Sequence, residues 1–149
     1  MTSMRPSAPG VKPIAVLLAD DHAVVREGLR KLLETESDIQ VVGEAANGRE
    51  AVRSTKELLP AVVVMDIAMP VLDGVQATRL LKASQVTQDI KVIAYTAKTN
   101  VEDAPAATRL FEEVLRKPAS PEAIISSVQR FAVRGKPGVP SPGTSIDMR

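Results

Sequence analysis

Residues 61–70 read AVVVMDIAMP, a nearly unbroken apolar run that is interrupted by one carboxylate, Asp66. A strand with one wet face alternates apolar and polar side chains. A continuous β-branched run instead marks a strand covered on both faces, as at the centre of a parallel sheet. A carboxylate closing such a strand costs several kcal/mol unless partners or a cation meet it, so Asp66 is a candidate functional group from the outset.

Outward from this strand the same alternation of short apolar runs and amphipathic stretches recurs. Towards the N-terminus, residues 14–19 form a first strand. A helix begins near Ala23, with Val25, Gly28, Leu29, Leu32 and Leu33 spaced to make one buried stripe. Residues 39–44 form a second strand, after which Asn47 and Glu50 are placed as a capping box; the helix they open is expected to bury Ala51, Val52, Thr55, Leu58 and Leu59. Towards the C-terminus, Asp73 and Gln76 cap a third helix and residues 90–95 form a fourth strand. Pro105 confines a fourth helix between Lys98 and Glu113 to a short or late-starting one. Residues 114–116 form a fifth strand, and Ser120 with Pro121 opens a last helix burying Ile124, Ile125, Val128 and Phe131. Strands alternating with helices give an α/β fold, a doubly wound parallel sheet of strand–helix repeats.

The boundaries follow from composition. Residues 1–13, with Pro6, Pro9 and Pro13, form a flexible extension; residues 14–133 form the domain; residues 134–149, rich in Pro, Gly and Ser, form a flexible tail or linker. With 149 residues, 44% hydrophobic and 25% charged, and a formal net charge of +1, the chain has the bulk of one soluble domain and no general pull toward nucleic acid or membrane. The absence of cysteine excludes disulfides and thiolate metal sites within these residues and suits a reducing cytoplasm. No run approaches the roughly 20 apolar residues of a membrane span.

In open parallel sheets the ligand site forms at the carboxyl ends of the strands. Those ends carry Asp20 and Asp21, Asp66, Thr96, and Lys117 followed by Pro118. Three carboxylates without sulfur make a hard-oxygen site suited to Mg2+, and their mutual repulsion calls for a cation. A phosphoryl group arriving at Asp66 would meet the metal, the Lys117 ammonium and the Thr96 hydroxyl. Each residue taken singly has a plainer role: Asp20 or Asp21 as a cap of the first helix, Thr96 as an ordinary strand residue, Lys117 as a solvated lysine. His22, the single histidine, reads as an exposed loop residue, and Met65 and Met69 as packing.

Together the segments LLADDHAVVREGLRKLLE from Leu17, VVGEAANGREAV from Val41, VVVMDIAMPVLDGVQATRLLK from Val62, VIAYTAK from Val92 and RKP at Arg116 closely resemble the two-component response regulator receiver family. The likeness is greatest to the branch whose members continue into a LuxR-type helix-turn-helix. The resemblance implies a flavodoxin-like (βα)5 sheet of strand order 2-1-3-4-5 and phosphotransfer from a sensor histidine kinase, or a phosphotransfer protein, to Asp66. It further implies Mg2+ on Asp20, Asp21 and Asp66, phosphoryl sensing by Thr96 and Lys117, and a cis peptide at Lys117–Pro118. Signalling then passes to a downstream protein whose identity stays open, as does a homodimer; these residues, lacking a recognition helix, are not expected to bind DNA themselves.

Where the family usually has a glycine and an aromatic before the last strand, Glu113 and Val114 stand here; Arg116 replaces an apolar residue, and the segment from Thr96 to Lys117 is about one residue short. A non-standard conformational readout is therefore expected, and a receiver-like interaction module working without phosphorylation stays open. A haloacid-dehalogenase-like phosphatase is disfavoured, because the acid such enzymes carry two residues beyond the nucleophile is Ala68 here. Catalysis is expected to be limited to the chain's own phosphorylation and dephosphorylation.

Overall fold

The computed structural model describes residues 12–97 and 109–134. The residues outside those ranges include most of the expected N-terminal extension and tail, and residues 98–108 of the segment assigned to a fourth helix before the fifth strand. The described elements run β1 Ile14–Ala19, α1 Ala23–Leu33, β2 Ile39–Ala45, α2 Gly48–Leu58, β3 Val62–Met65, α3 Gly74–Ala83, β4 Lys91–Thr96, β5 Glu113–Arg116 and α4 Pro121–Arg134. All strand pairings are parallel, in the order β2-β1-β3-β4-β5. This is the doubly wound architecture expected from the repeat.

The sheet divides two apolar layers by the two-residue period of its strands. Leu17, Val63 and Met65 face Ala51 of α2 and Ala77 and Leu81 of α3. Val16, Val62 and Val64 face Leu29 and Leu33 of α1 and Ile124 and Val128 of α4. Every residue of β3 is buried, which accounts for its unbroken apolar run.

Several local expectations need correction. Leu58 and Leu59 are exposed. The reason is that α2 ends at Leu58 and Leu59 turns into the left-handed region with φ of 48°, taking both off the buried stripe. Gly28 lies on the exposed side of α1. Ile125 and Phe131 are only partly buried. Strand edges shift by a residue: β2 extends to Ala45, β3 begins after exposed Ala61, β4 spans Lys91–Thr96, and β5 starts at Glu113.

The caps are mostly as expected. Asp73 Oδ1 accepts from the Gln76 N–H at 2.8 Å and Gln76 Oε1 accepts from the Asp73 N–H at 3.1 Å, a complete capping box. Asn47 accepts from the Glu50 N–H at 2.9 Å, but Glu50 reaches back to the Ala46 N–H, one residue before the cap. Ser120 Oγ accepts from the Ala123 N–H at 3.1 Å.

Gly74 sets how close α3 comes to the end of β3. A Cβ there would lie 2.2 Å from the Asp66 carbonyl oxygen and 2.8 Å from Ile67 Cα, both backbone atoms with little room to yield. Its own N–H donates to the Ile67 carbonyl at 2.8 Å. Gly74→Ala is accordingly expected to lower stability by about 1–3 kcal/mol, the range for overpacking a tight site. Urea unfolding checks this; an unchanged midpoint would show that the turn relaxes freely.

Candidate functional site

Adjacent parallel strands end level with one another, so the residues following them form one rim. Asp20 follows β1, Asp66 follows β3, Thr96 ends β4 and Lys117 follows β5. Backbone bonds pin these ends: the Asp20 N–H donates to Ala45 O at 3.0 Å, the Asp66 N–H to Ala19 O at 2.8 Å and the Lys117 N–H to Thr96 O at 2.9 Å. Asp20 is 3% exposed, Asp66 4%, and Thr96 is fully buried.

Lys117 Nζ lies 2.7 Å from Asp20 Oδ2 and 3.3 Å from Asp66 Oδ2. Burial pushes the Lys117 ammonium toward the neutral form, but the hydrogen bond it donates to Asp20 and the charges of Asp66 and Asp20 outweigh it. The net effect holds the group above the ordinary lysine value. Asp66 Oδ1 receives the Ala68 N–H at a long 3.4 Å. The bond from Lys117 to Pro118 is cis, as expected.

Asp20 and Asp21 do not cap α1; its N-cap residue is His22, without a side-chain cap. His22 is exposed as expected, yet its Nδ1 lies 3.3 Å from Asp20 Oδ1 and 3.2 Å from Asp21 Oδ1. Asp20, Asp21, His22 and Asp66 each offer a donor atom, and the four atoms all lie within 4.8 Å of one another. Asp21 Oδ1 is enclosed and has no directed hydrogen bond, despite the nearby imidazole. An enclosed carboxylate oxygen lacking a donor, among other hard oxygens, fits a divalent cation. Met65 and Met69 are buried packing residues.

Sequence reasoning missed the brace behind this rim. Arg26 donates through Nε to Glu44 Oε1 at 2.9 Å and through Nη1 to the Asp20 carbonyl, while Arg30 Nε donates to Glu44 Oε2 at 2.8 Å. Burial raises the Glu44 carboxyl, but these guanidiniums outweigh it and hold Glu44 below the usual carboxylate value. The i, i+4 spacing of Arg26 and Arg30 on α1 was the available signal, though their partner on β2 was not.

At the expected switch position Val114 packs, partly buried, against the layer under α2 and α3. Glu113 Oε1 accepts from Ser127 Oγ at 2.7 Å and from Arg130 Nη2 at 2.6 Å, tying β5 to α4. An aromatic does stand nearby on β4: Tyr95 packs with the opposite layer, its ring centroid 5.5 Å from Lys117 Nζ.

The family described as response regulator receiver domain matches residues 16–129. The transcriptional regulatory protein YhcZ of Bacillus subtilis is 41% identical over 115 residues, covering 76% of this chain and 53% of that protein. Response regulator UvrY of Escherichia coli is 38% identical over 120 residues, covering 78% of this chain and 53% of UvrY. The chain thus spans about half the length of these relatives. Among solved structures, the receiver domain of sensor histidine kinase PA1611 from Pseudomonas aeruginosa, with a magnesium ion in its active-site cleft, superimposes with a TM-score of 0.73 at 27% identity. That match covers 81% of this chain and 98% of that one. With the family model matching residues 16–129, which include Asp20, Asp66, Thr96 and Lys117, the chain belongs to the response regulator receiver domain family.

Proposed function

We propose that Asp66 accepts a phosphoryl group from the phosphohistidine of a sensor histidine kinase or phosphotransfer protein, with Asp20, Asp21 and Asp66 holding Mg2+. The observation that carries this is Lys117 Nζ bonded to both Asp20 and Asp66, at 2.7 and 3.3 Å, where those two carboxylates and Asp21 offer donor atoms within 4.8 Å of one another. In the transfer, an Asp66 oxygen forms a bond to phosphorus as the nitrogen–phosphorus bond of the donor breaks, and the departing imidazole takes up a proton. Lys117 supplies a fixed positive charge beside the new acyl phosphate, and Thr96, at the end of the neighbouring strand, supplies a hydroxyl. When bound, Mg2+ would neutralise charge on the transferring oxygens.

Two residues past Asp66, Ala68 offers a backbone N–H and no acid, so nothing there activates water for repeated hydrolysis of external esters. Among the described residues no helix is long and apolar enough to cross a membrane. The Glu113–Ser127–Arg130 clamp favours a readout that departs from an aromatic rotating at β5.

Incubation with a small phosphodonor and Mg2+ is expected to add one labile phosphoryl mass to the chain and none to Asp66→Asn; equal labelling of both, or of neither, would overturn the assignment. Lys117→Met, which leaves two buried carboxylates facing each other, should destabilise by about 3 kcal/mol near neutral pH. Because the Lys117 value is raised on folding, its contribution is fully present below the ordinary lysine value of 10.5 and is lost as pH climbs through the higher folded value. On the alkaline side, the gap between wild type and Lys117→Met in urea unfolding should therefore begin to narrow only above pH 10.5. With a phosphoryl mimic bound, amide NMR is expected to show small shifts along β5 and α4, whereas a large rearrangement confined to that face would contradict the clamp.

A further inference from the structure

Between α2 and α3 lies a groove of about 450 Å³, floored by Val52, Leu72 and Leu80 and rimmed by Arg49, Arg53 and Lys56. Leu80 is 50% exposed, and Val71, next to Leu72, is 68% exposed. Apolar surface left in water and rimmed by polar groups marks an interaction site. Val71 also holds a φ of 70°, a conformation that a β-branched residue rarely adopts.

The three cations stand four and three residues apart, along one face of α2. Among the described residues none of them pairs with a carboxylate. Arg49 stands in the first turn of α2, where the helix dipole disfavours a cation. Helix stability therefore does not explain its presence.

We propose that this groove docks an acidic amphipathic helix of a partner protein, with its apolar stripe on Val52, Leu72 and Leu80 and its carboxylates on Arg49, Arg53 and Lys56. A symmetric contact between two copies would set the same cations against one another, so self-pairing through this face is disfavoured. A concave floor between two helices also suits a helical stripe better than a flat lipid surface. The groove shares no lining residue with the acidic rim.

The test uses the full chain, isotopically labelled, and a synthetic amphipathic helical peptide with leucines at i, i+3, i+4 and i+7 and glutamates on its flanks. Amide shifts should cluster at Val52, Arg53, Leu72 and Leu80. Arg53→Glu combined with Lys56→Glu should weaken binding on the order of tenfold or more, and the same peptide with lysines for glutamates should not bind. Should that double variant unfold, Leu80→Asp, at an exposed position, should abolish the shifts instead. No localised shifts at roughly millimolar peptide would overturn the proposal, as would equal binding by the lysine peptide or the charge-reversed chain. Groove shifts produced by phosphatidylglycerol vesicles and not by the peptide would overturn it too.

Discussion

Two nearly buried carboxylates, Asp20 and Asp66, face each other across the ends of β1 and β3, and the Lys117 ammonium lies between them at 2.7 and 3.3 Å. Like charges so placed repel, and burial removes the water that would screen them, so the rim stands only with positive charge at its centre. These contacts join residues 97 and 51 positions apart in the chain. The strand order β2-β1-β3-β4-β5 brings those distant residues together, and the apolar layers on both faces hold the order in place. The sheet thus imposes an electrostatic conflict at its edge, and a metal with a phosphoryl group is the chemistry that such a conflict accommodates.

Around this rim the chain divides its work. Arg26 and Arg30 brace Glu44 and the Asp20 carbonyl from the α1 side, and Gly74 lets α3 close on the Asp66 backbone. On the far side, Glu113 joins buried Ser127 and exposed Arg130, fastening α4 to β5. A charged clamp with two donors holds its geometry more firmly than an aromatic ring free to rotate. That contrast is the physical ground for expecting a different output from the same input chemistry.

Much of this was legible in the amino-acid order because the signals were local. The β-branched run before Asp66 reported a strand covered on both faces, and Asp73 with Gln76 reported a helix start. The acidic pair, Asp66, Thr96 and Lys117 were legible because parallel strands present their carboxyl ends on one rim. What escaped was nonlocal. Leu58 and Leu59 continue an apolar period past the point where a left-handed cap ends it, so period alone misplaced them. The close approach at Gly74, the Glu44 brace and the Glu113 clamp each depend on a partner from another element, which no window of sequence contains. His22 was read correctly as exposed, but its reach to Asp20 and Asp21 follows from the turn after β1 rather than from its identity.

The central claim is that the gathered acids exist to hold a divalent cation beside Asp66. A crystal of the chain grown with Mg2+ tests it most directly. The account predicts density for one ion within about 2.0–2.1 Å of carboxylate oxygens drawn from Asp20, Asp21 and Asp66. Crystals saturated with Mg2+ that show the ion elsewhere, or Lys117 still occupying the space between the carboxylates with no ion beside them, would contradict it.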